Sequence, residues 1–259
     1  MSVDMEAGEK NRPAVREGDP TPSRLRWVVQ PALALLAIAA CFAWTANQDL
    51  TANQTLLEPG SMLDGAWRHL WITAVAAVIV VLVAVPLGVV LTRGPLRKRS
   101  GVILAFAGFG QAAPAVGLVV LAALYFGVGI VPFIGALAVY GVLPVAANVV
   151  AGLDAVDQRL VEAGRGMGLS AFAVLRKVEL PIAVPVMLTG VRTAVVLMCG
   201  TATFGGFVGA GGLGSIINTG IKLGEKPLLV VGAIMVAALA LLLDWIARIV
   251  EVAATPKGL

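Results

Sequence analysis

Few groups in this chain could react or bind, and Arg192 is foremost among them. It lies about ten residues inside one apolar stretch, and Asp244 lies near the end of another. A central arginine costs about 2.5–3.5 kcal/mol on insertion scales, so it has to face protein or water. Two roles stay open for the pair: part of a polar path, or a staple between helices with the arginine snorkelling outward. The one histidine is His69, and no carboxylate pair, Ser/His set or His-Glu-x-x-His appears, so chemistry on a bound substrate is disfavoured. No Gly-x-x-x-x-Gly-Lys-Ser/Thr loop is present either, so any use of ATP would need another subunit to bind it.

Two motifs invite over-reading. Gly209-Ala210-Gly211-Gly212-Leu213-Gly214 fits G-x-G-x-x-G, but a dinucleotide fold needs a soluble strand before it and an acid about 20 residues on. Here a membrane span precedes it. Seven glycines from Gly200 to Gly214 read instead as tight turns and close helix packing. Ile38-Ala39-Ala40-Cys41 has the form of a lipoprotein cleavage box, but a long polar tail precedes it and the apolar run exceeds a signal-peptide core. It reads as an Ala-rich span containing a cysteine.

The remaining chemistry is concentrated between Leu153 and Pro181, a charged stretch in an apolar chain. Leu153, Val156, Leu160, Ala163 or Gly164, and Met167 recur at helical spacing, with Asp154, Asp157, Gln158 and Arg165 mostly elsewhere. Gly168 can end that helix at positive φ. Ser170 suits the N-cap of a second short helix through Phe172 and Leu175. Pro181 suits the start of the next span, where its missing N–H is harmless. Periodicity alone leaves two readings equal, a helix pair that docks a partner or an amphipathic loop lying on the membrane surface.

The elements that must position these groups are membrane spans. The chain is 59% hydrophobic and 13% charged over 259 residues, which points to an all-α integral membrane protein. A span needs about 20 apolar residues, and six stretches qualify: 27–46, 70–91, 103–126, 130–152, 182–204 and 227–249. Pro86, Pro114 and Pro144 fall inside spans, where kinks rather than breaks are expected. With the N-terminus in the cytosol, fifteen of the 19 Lys and Arg residues fall on the cytosolic side. Only Arg68, Lys222 and Lys226 fall outside, and Arg192 is intramembrane. That bias predicts N-in, C-in topology and places 153–181 in the cytosol. The basic residues report orientation, and no nucleic-acid partner is expected. Residues 1–25 are too polar to pack and are expected to be a disordered cytoplasmic tail. Residues 26–66 would hold the first span and an external loop, 67–250 a five-span core, and 251–259 a short cytoplasmic tail.

Glu162-Ala163-Gly164-x3-Gly168-x9-Val178-x-Leu180-Pro181 resembles the EAA loop of binding-protein-dependent ABC importer permeases. The family pattern has Glu-Ala-Ala, then Gly, then Ile-x-Leu-Pro, so this chain departs at Gly164 and Val178. Gly166-Met167-Gly168, Lys177-Val178-Glu179-Leu180-Pro181, Gly190-Val191-Arg192-Thr193-Ala194, Gly200-Thr201-Ala202-Thr203 and the 209–214 run look like permeases for quaternary-amine osmoprotectants such as glycine betaine, carnitine and choline. Gln111-x-x-Pro114 is similar too, and the likeness covers roughly residues 65–250.

The resemblance implies a type I importer bundle in the bacterial cytoplasmic (inner) membrane, working as a transport subunit and not an enzyme. It implies two ABC ATPase subunits, a second permease subunit (the same chain or a homologue) and an extracytoplasmic substrate-binding protein. Glu162, Ala163, Gly164, Gly168, Leu180 and Pro181 would couple to the ATPase. The chain would carry no catalytic residue, metal or cofactor of its own, with ATP and Mg²⁺ on the partner ATPase. Gln111, Arg192, Thr201 and Thr203 are candidates for the translocation path. The alternatives are a permease for another small solute such as an amino acid, or an ion-coupled secondary carrier. A carrier would want intramembrane acids and a repeat within one chain; Asp244 alone is thin support, and no inverted repeat is evident.

Overall fold

A computed structural model describes residues 24–112 and 114–255. All the regular structure among them is helical: α1 (Arg24–Ala46), α2 (Pro59–Leu91), α3 (Ser100–Ala112), α4 (Ala115–Phe126), α5 (Ile130–Asp154), α6 (Gln158–Gly166), α7 (Ala171–Val174), α8 (Leu180–Thr201), α9 (Leu213–Leu223) and α10 (Lys226–Ala254). Short 3₁₀ turns and one π segment, Leu175–Glu179, complete the chain. The expected disordered tail at 1–25 lies outside the described residues except for Arg24 and Leu25, which open α1.

Five continuous helices are long and apolar enough to cross a membrane: Trp27–Ala46, Pro59–Leu91, Ile130–Asp154, Ala171–Gly206 and Lys226–Ala254. The expected span at 103–126 departs from the others. It is two helices, α3 and α4, parted at Pro114, which takes extended geometry and caps α4. Pro86 and Pro144 stay inside unbroken helices, as expected. The difference is packing. α5 lies between α2 and α8, whose side chains enclose it, whereas α3 and α4 rest chiefly on α5. Neighbours on both faces hold a helix together where proline frees a carbonyl, and a lone neighbour does not.

α2 starts eleven residues before its expected span, at Pro59, which occupies the first turn where its missing N–H costs nothing. One core surrounds α5: Ile72, Ala76, Val80 and Ala84 of α2 and Ala183, Ala194 and Met198 of α8 meet Leu137, Val145 and Val149. Small residues let these helices close in. A methyl on Gly88 would lie 2.5 Å from Val149, and one on Gly190 2.5 Å from Asn148. A second core gathers α1, α9 and α10 around Leu57, Met62, Leu213 and Met235. Cys41 is buried there, five residues before the end of α1.

The bundle has two unlike ends. A basic end carries 93–99 and 154–179. A glycine-rich end carries the 3₁₀ turn Ala52–Leu57, the link 127–129 and the loop 205–212, joined where Gly129 N–H donates to Val208 O at 2.9 Å.

Candidate functional site

The charged stretch folds into a helix pair with a defined stop on each side of α6 and a cap at the start of α7. α5 ends at Asp154, and Asp157 caps α6, its carboxylate accepting from Arg159 N–H at 2.9 Å. α6 therefore begins at Gln158, and the single helical face expected from Leu153 to Met167 is divided. Leu153 belongs to α5, and Val156 is buried in the turn. The face of α6 turned to the protein holds Val161 and Gly164. Leu160, Glu162, Ala163 and Met167 face outward, as does Phe172 of α7. An amphipathic helix has thus laid its narrow small-residue side on the bundle and left an apolar surface uncovered.

Gly168 turns the corner as expected, at φ +81°. Leu169 N–H donates to Gly164 O (3.2 Å) and Gly168 N–H to Arg165 O (2.9 Å), the two bonds of a Schellman stop. Ser170 then caps α7, its Oγ accepting from Ala173 N–H at 3.3 Å. A Cβ at Gly164 would meet Val174 at 3.4 Å and Leu169 and Val178 at 3.7 Å, ordinary contact. The site therefore has room for the alanine that the EAA pattern carries there.

The exit into the membrane differs from expectation. Pro181 lies in the first turn of α8, as expected, but α8 follows on from α7 without a break. The helix runs unbroken from Ala171 to Gly206, and Leu175–Glu179 widens into a π turn in which Leu180 N–H donates to Leu175 O, five residues back. One extra residue per turn re-registers the backbone beside Pro181, which has no N–H to give. Leu180 packs half-buried on the main core.

Glu179 ends the π turn, is 5% exposed, and forms an ion pair with Arg93 at the foot of α2; Arg93 Nη1 donates to Glu179 Oε1 at 3.1 Å. Arg97 reaches Asp154 at 3.2 Å. These pairs tie the basic loop to α5 and to the π turn. Sequence reasoning missed them. It used Arg93 and Arg97 for their side of the membrane, and Glu179 only as a motif letter.

The four path candidates do not converge. Arg192 grips Asp244 with two bonds, Nε to Oδ1 and Nη2 to Oδ2 (2.8 Å). Gln30 Nε2 of α1 donates to the same carboxylate at 2.8 Å. Glu251 approaches Arg192 Nη1 at 3.7 Å and accepts from Thr189 Oγ1 at 3.0 Å. The anticipated pair is therefore the centre of a polar knot joining α1, α8 and α10. Gln111 Nε2 donates to Tyr140 O of α5 at 3.2 Å, while Thr201 and Thr203 bond back to their own helix turns at Leu197 O and Gly200 O. Among the described residues no hydrogen bond or ion pair links the four.

The 205–214 run is a backbone junction, with no dinucleotide loop. A methyl on Gly206 would fall 2.2 Å from Gly214 O, and one on Gly214 2.0 Å from Thr203 O. His69, fully buried beneath it, places Nε2 3.0 Å from Cys199 O.

Residues 84–254 match the family described as binding-protein-dependent transport system inner membrane component. The chain is 38% identical to the glycine betaine/carnitine/choline transport system permease protein OpuCB of Bacillus subtilis, over 82% of this chain and 96% of that protein. It is 35% identical to the osmoprotectant import permease protein OsmW of Salmonella typhimurium, over 81% and 99%. Among solved structures it is similar to inward-facing MetNI, a methionine ABC transporter. The TM-score is 0.66 and the identity 25%, over 75% of this chain and 96% of that one.

Proposed function

Because the chain belongs to the inner membrane components of binding-protein-dependent transport systems, we propose that it is a permease subunit of an ATP-driven importer for a small quaternary-amine osmoprotectant. The greater identity to permeases named for glycine betaine, carnitine and choline, 38% against 25% for the methionine transporter, supports that substrate class over an amino acid. Two permease chains would enclose the path, and two ATPases would dock at the basic end, each carrying its own ATP and Mg²⁺. A binding protein would deliver substrate at the glycine-rich end. The charge bias supports N-in, C-in orientation, with the basic end in the cytosol.

The observation that carries this reading is the uncovered face of α6 and α7. Leu160 (47% exposed), Met167 (75%) and Phe172 (71%) surround Glu162 and Ala163 on a helix pair in which α6 is stopped at both ends and α7 is capped at its start. A chain that spends an Asp cap, a Schellman turn and a Ser cap on ordering such a surface outside its spans is presenting it to a partner. Glu162 and Ala163 would contact the ATPase. Gly164 and Gly168 would set the angle of the pair, and Leu180 and Pro181 its entry into the bundle.

Co-purification with a candidate ABC ATPase subunit from the same source tests the docking. A stable complex is expected, lost in Glu162→Arg and in Gly168→Trp. Uptake driven by an ion gradient with no ATPase present would refute the importer.

A further inference from the structure

At the glycine-rich end α2 leaves a cleft of about 540 Å³ lined by Asp64, Trp67, Arg68, Trp71 and Ile130. That volume lies within the roughly 300–1,000 Å³ of ordinary small-molecule sites. Trp67 and Trp71 stand one turn apart, 71% and 47% exposed. Exposed tryptophans near a helix end often anchor in the lipid interface, but anchoring does not require a separated acid and base beside them. Asp64 and Arg68 sit at i and i+4, where opposite charges usually meet. Among the described residues neither forms an ion pair. The arginine is held elsewhere: its Nε donates to Ala210 O at 2.8 Å. It lies against Gly211, where a Cβ would come within 2.6 Å of Nε. The glycine loop thus makes room for the guanidinium and turns it away from Asp64, leaving its Nη donors for another acceptor.

The cleft therefore offers a carboxylate and two indole faces beside an anchored guanidinium. Indole faces and a carboxylate attract a quaternary ammonium. A guanidinium takes a carboxylate by paired hydrogen bonds. We propose that this cleft is a transit site for a zwitterionic quaternary amine, its ammonium on Trp67, Trp71 and Asp64 and its carboxylate on Arg68. The inference rests on the quaternary-amine reading above and assigns particular residues of this chain to each end of the substrate.

The test uses the complete importer in proteoliposomes, with saturating binding protein, and compares initial uptake of glycine betaine and choline. Choline carries the same ammonium and no carboxylate. Arg68→Gln is expected to slow glycine betaine about tenfold, the loss of one charge-assisted contact, and to leave choline within about twofold. Arg68→Lys should restore much of the difference. Trp67→Leu with Trp71→Leu, which keeps the apolar area, should slow both compounds about tenfold. An equal loss of both compounds in Arg68→Gln, or no loss at all, would overturn the site while leaving the importer reading intact. If the unaltered complex moves neither compound, the substrate reading falls and the transit site with it.

Discussion

Gly168 at the basic end and the Gly206–Gly214 contact at the glycine-rich end depend on glycine for opposite reasons. At the basic end Gly168 is needed for its dihedral angle: φ is +81° and nothing lies within 4 Å of where its Cβ would be. At the glycine-rich end Gly206 and Gly214 are needed for their lack of volume, because backbone lies 2.0–2.2 Å from where a methyl would sit. The first arrangement orders a short exposed segment while leaving space around it. The second locks two backbone segments against each other. The division is between positions and not between ends, because Gly209, Gly211 and Gly212 of the glycine-rich loop also lie at positive φ, 72–89°.

The same substitution, Gly→Ala, can be walked through this contrast. The largest effect is expected at Gly206 and Gly214, where a methyl meets main chain that cannot move aside. Each should cost about 3 kcal/mol or more, read as a lower Tm of the purified protein and loss of folded yield. Arg93→Ala comes next. It leaves Glu179, nearly buried, without its cation; because Arg93 is itself 40% exposed the cost should be about 2 kcal/mol. ATP hydrolysis in the complex should then continue with less uptake per ATP. Gly168→Ala should cost about 1–2 kcal/mol, the penalty for a side chain at left-handed φ. Its mark is weakened ATPase association at nearly normal Tm. Smallest is Gly164→Ala, where a methyl makes only ordinary contact and a helix interior gains about 0.5–1 kcal/mol from losing glycine. Unchanged or raised Tm with unchanged uptake is expected. A Gly164→Ala variant as damaged as Gly206→Ala would break the contrast between the positions.

Much of the fold is legible in the sequence because span length and apolar runs are local quantities. The Asp157, Gly168 and Ser170 stops are local as well, each a single residue acting on its own backbone. The Arg192–Asp244 contact was legible because an intramembrane charge demands a counter-charge and few exist. What escaped depends on neighbours. Pro114 parts two helices while Pro86 and Pro144 do not, and the cases differ in how many neighbours pack on α2 and α5 compared with α3 and α4. The π turn at 175–179 depends on how the backbone accommodates Pro181 within a continuing helix. The Glu179–Arg93 pair spans 86 residues and has no periodic signature. Trp67 and Arg68 escaped because an apolar run marks only part of α2, and the helix extends well beyond it.

The helix from Ala171 to Gly206 has 36 residues. At about 1.5 Å per residue that is roughly 54 Å of continuous helix, starting at the exposed face of α7 and ending in the glycine junction. Pivoted at one end, a member of that length sweeps about 1 Å at its tip for each degree of tilt. A hinge of a few degrees at α7 would then shift the far opening by more than a bond length.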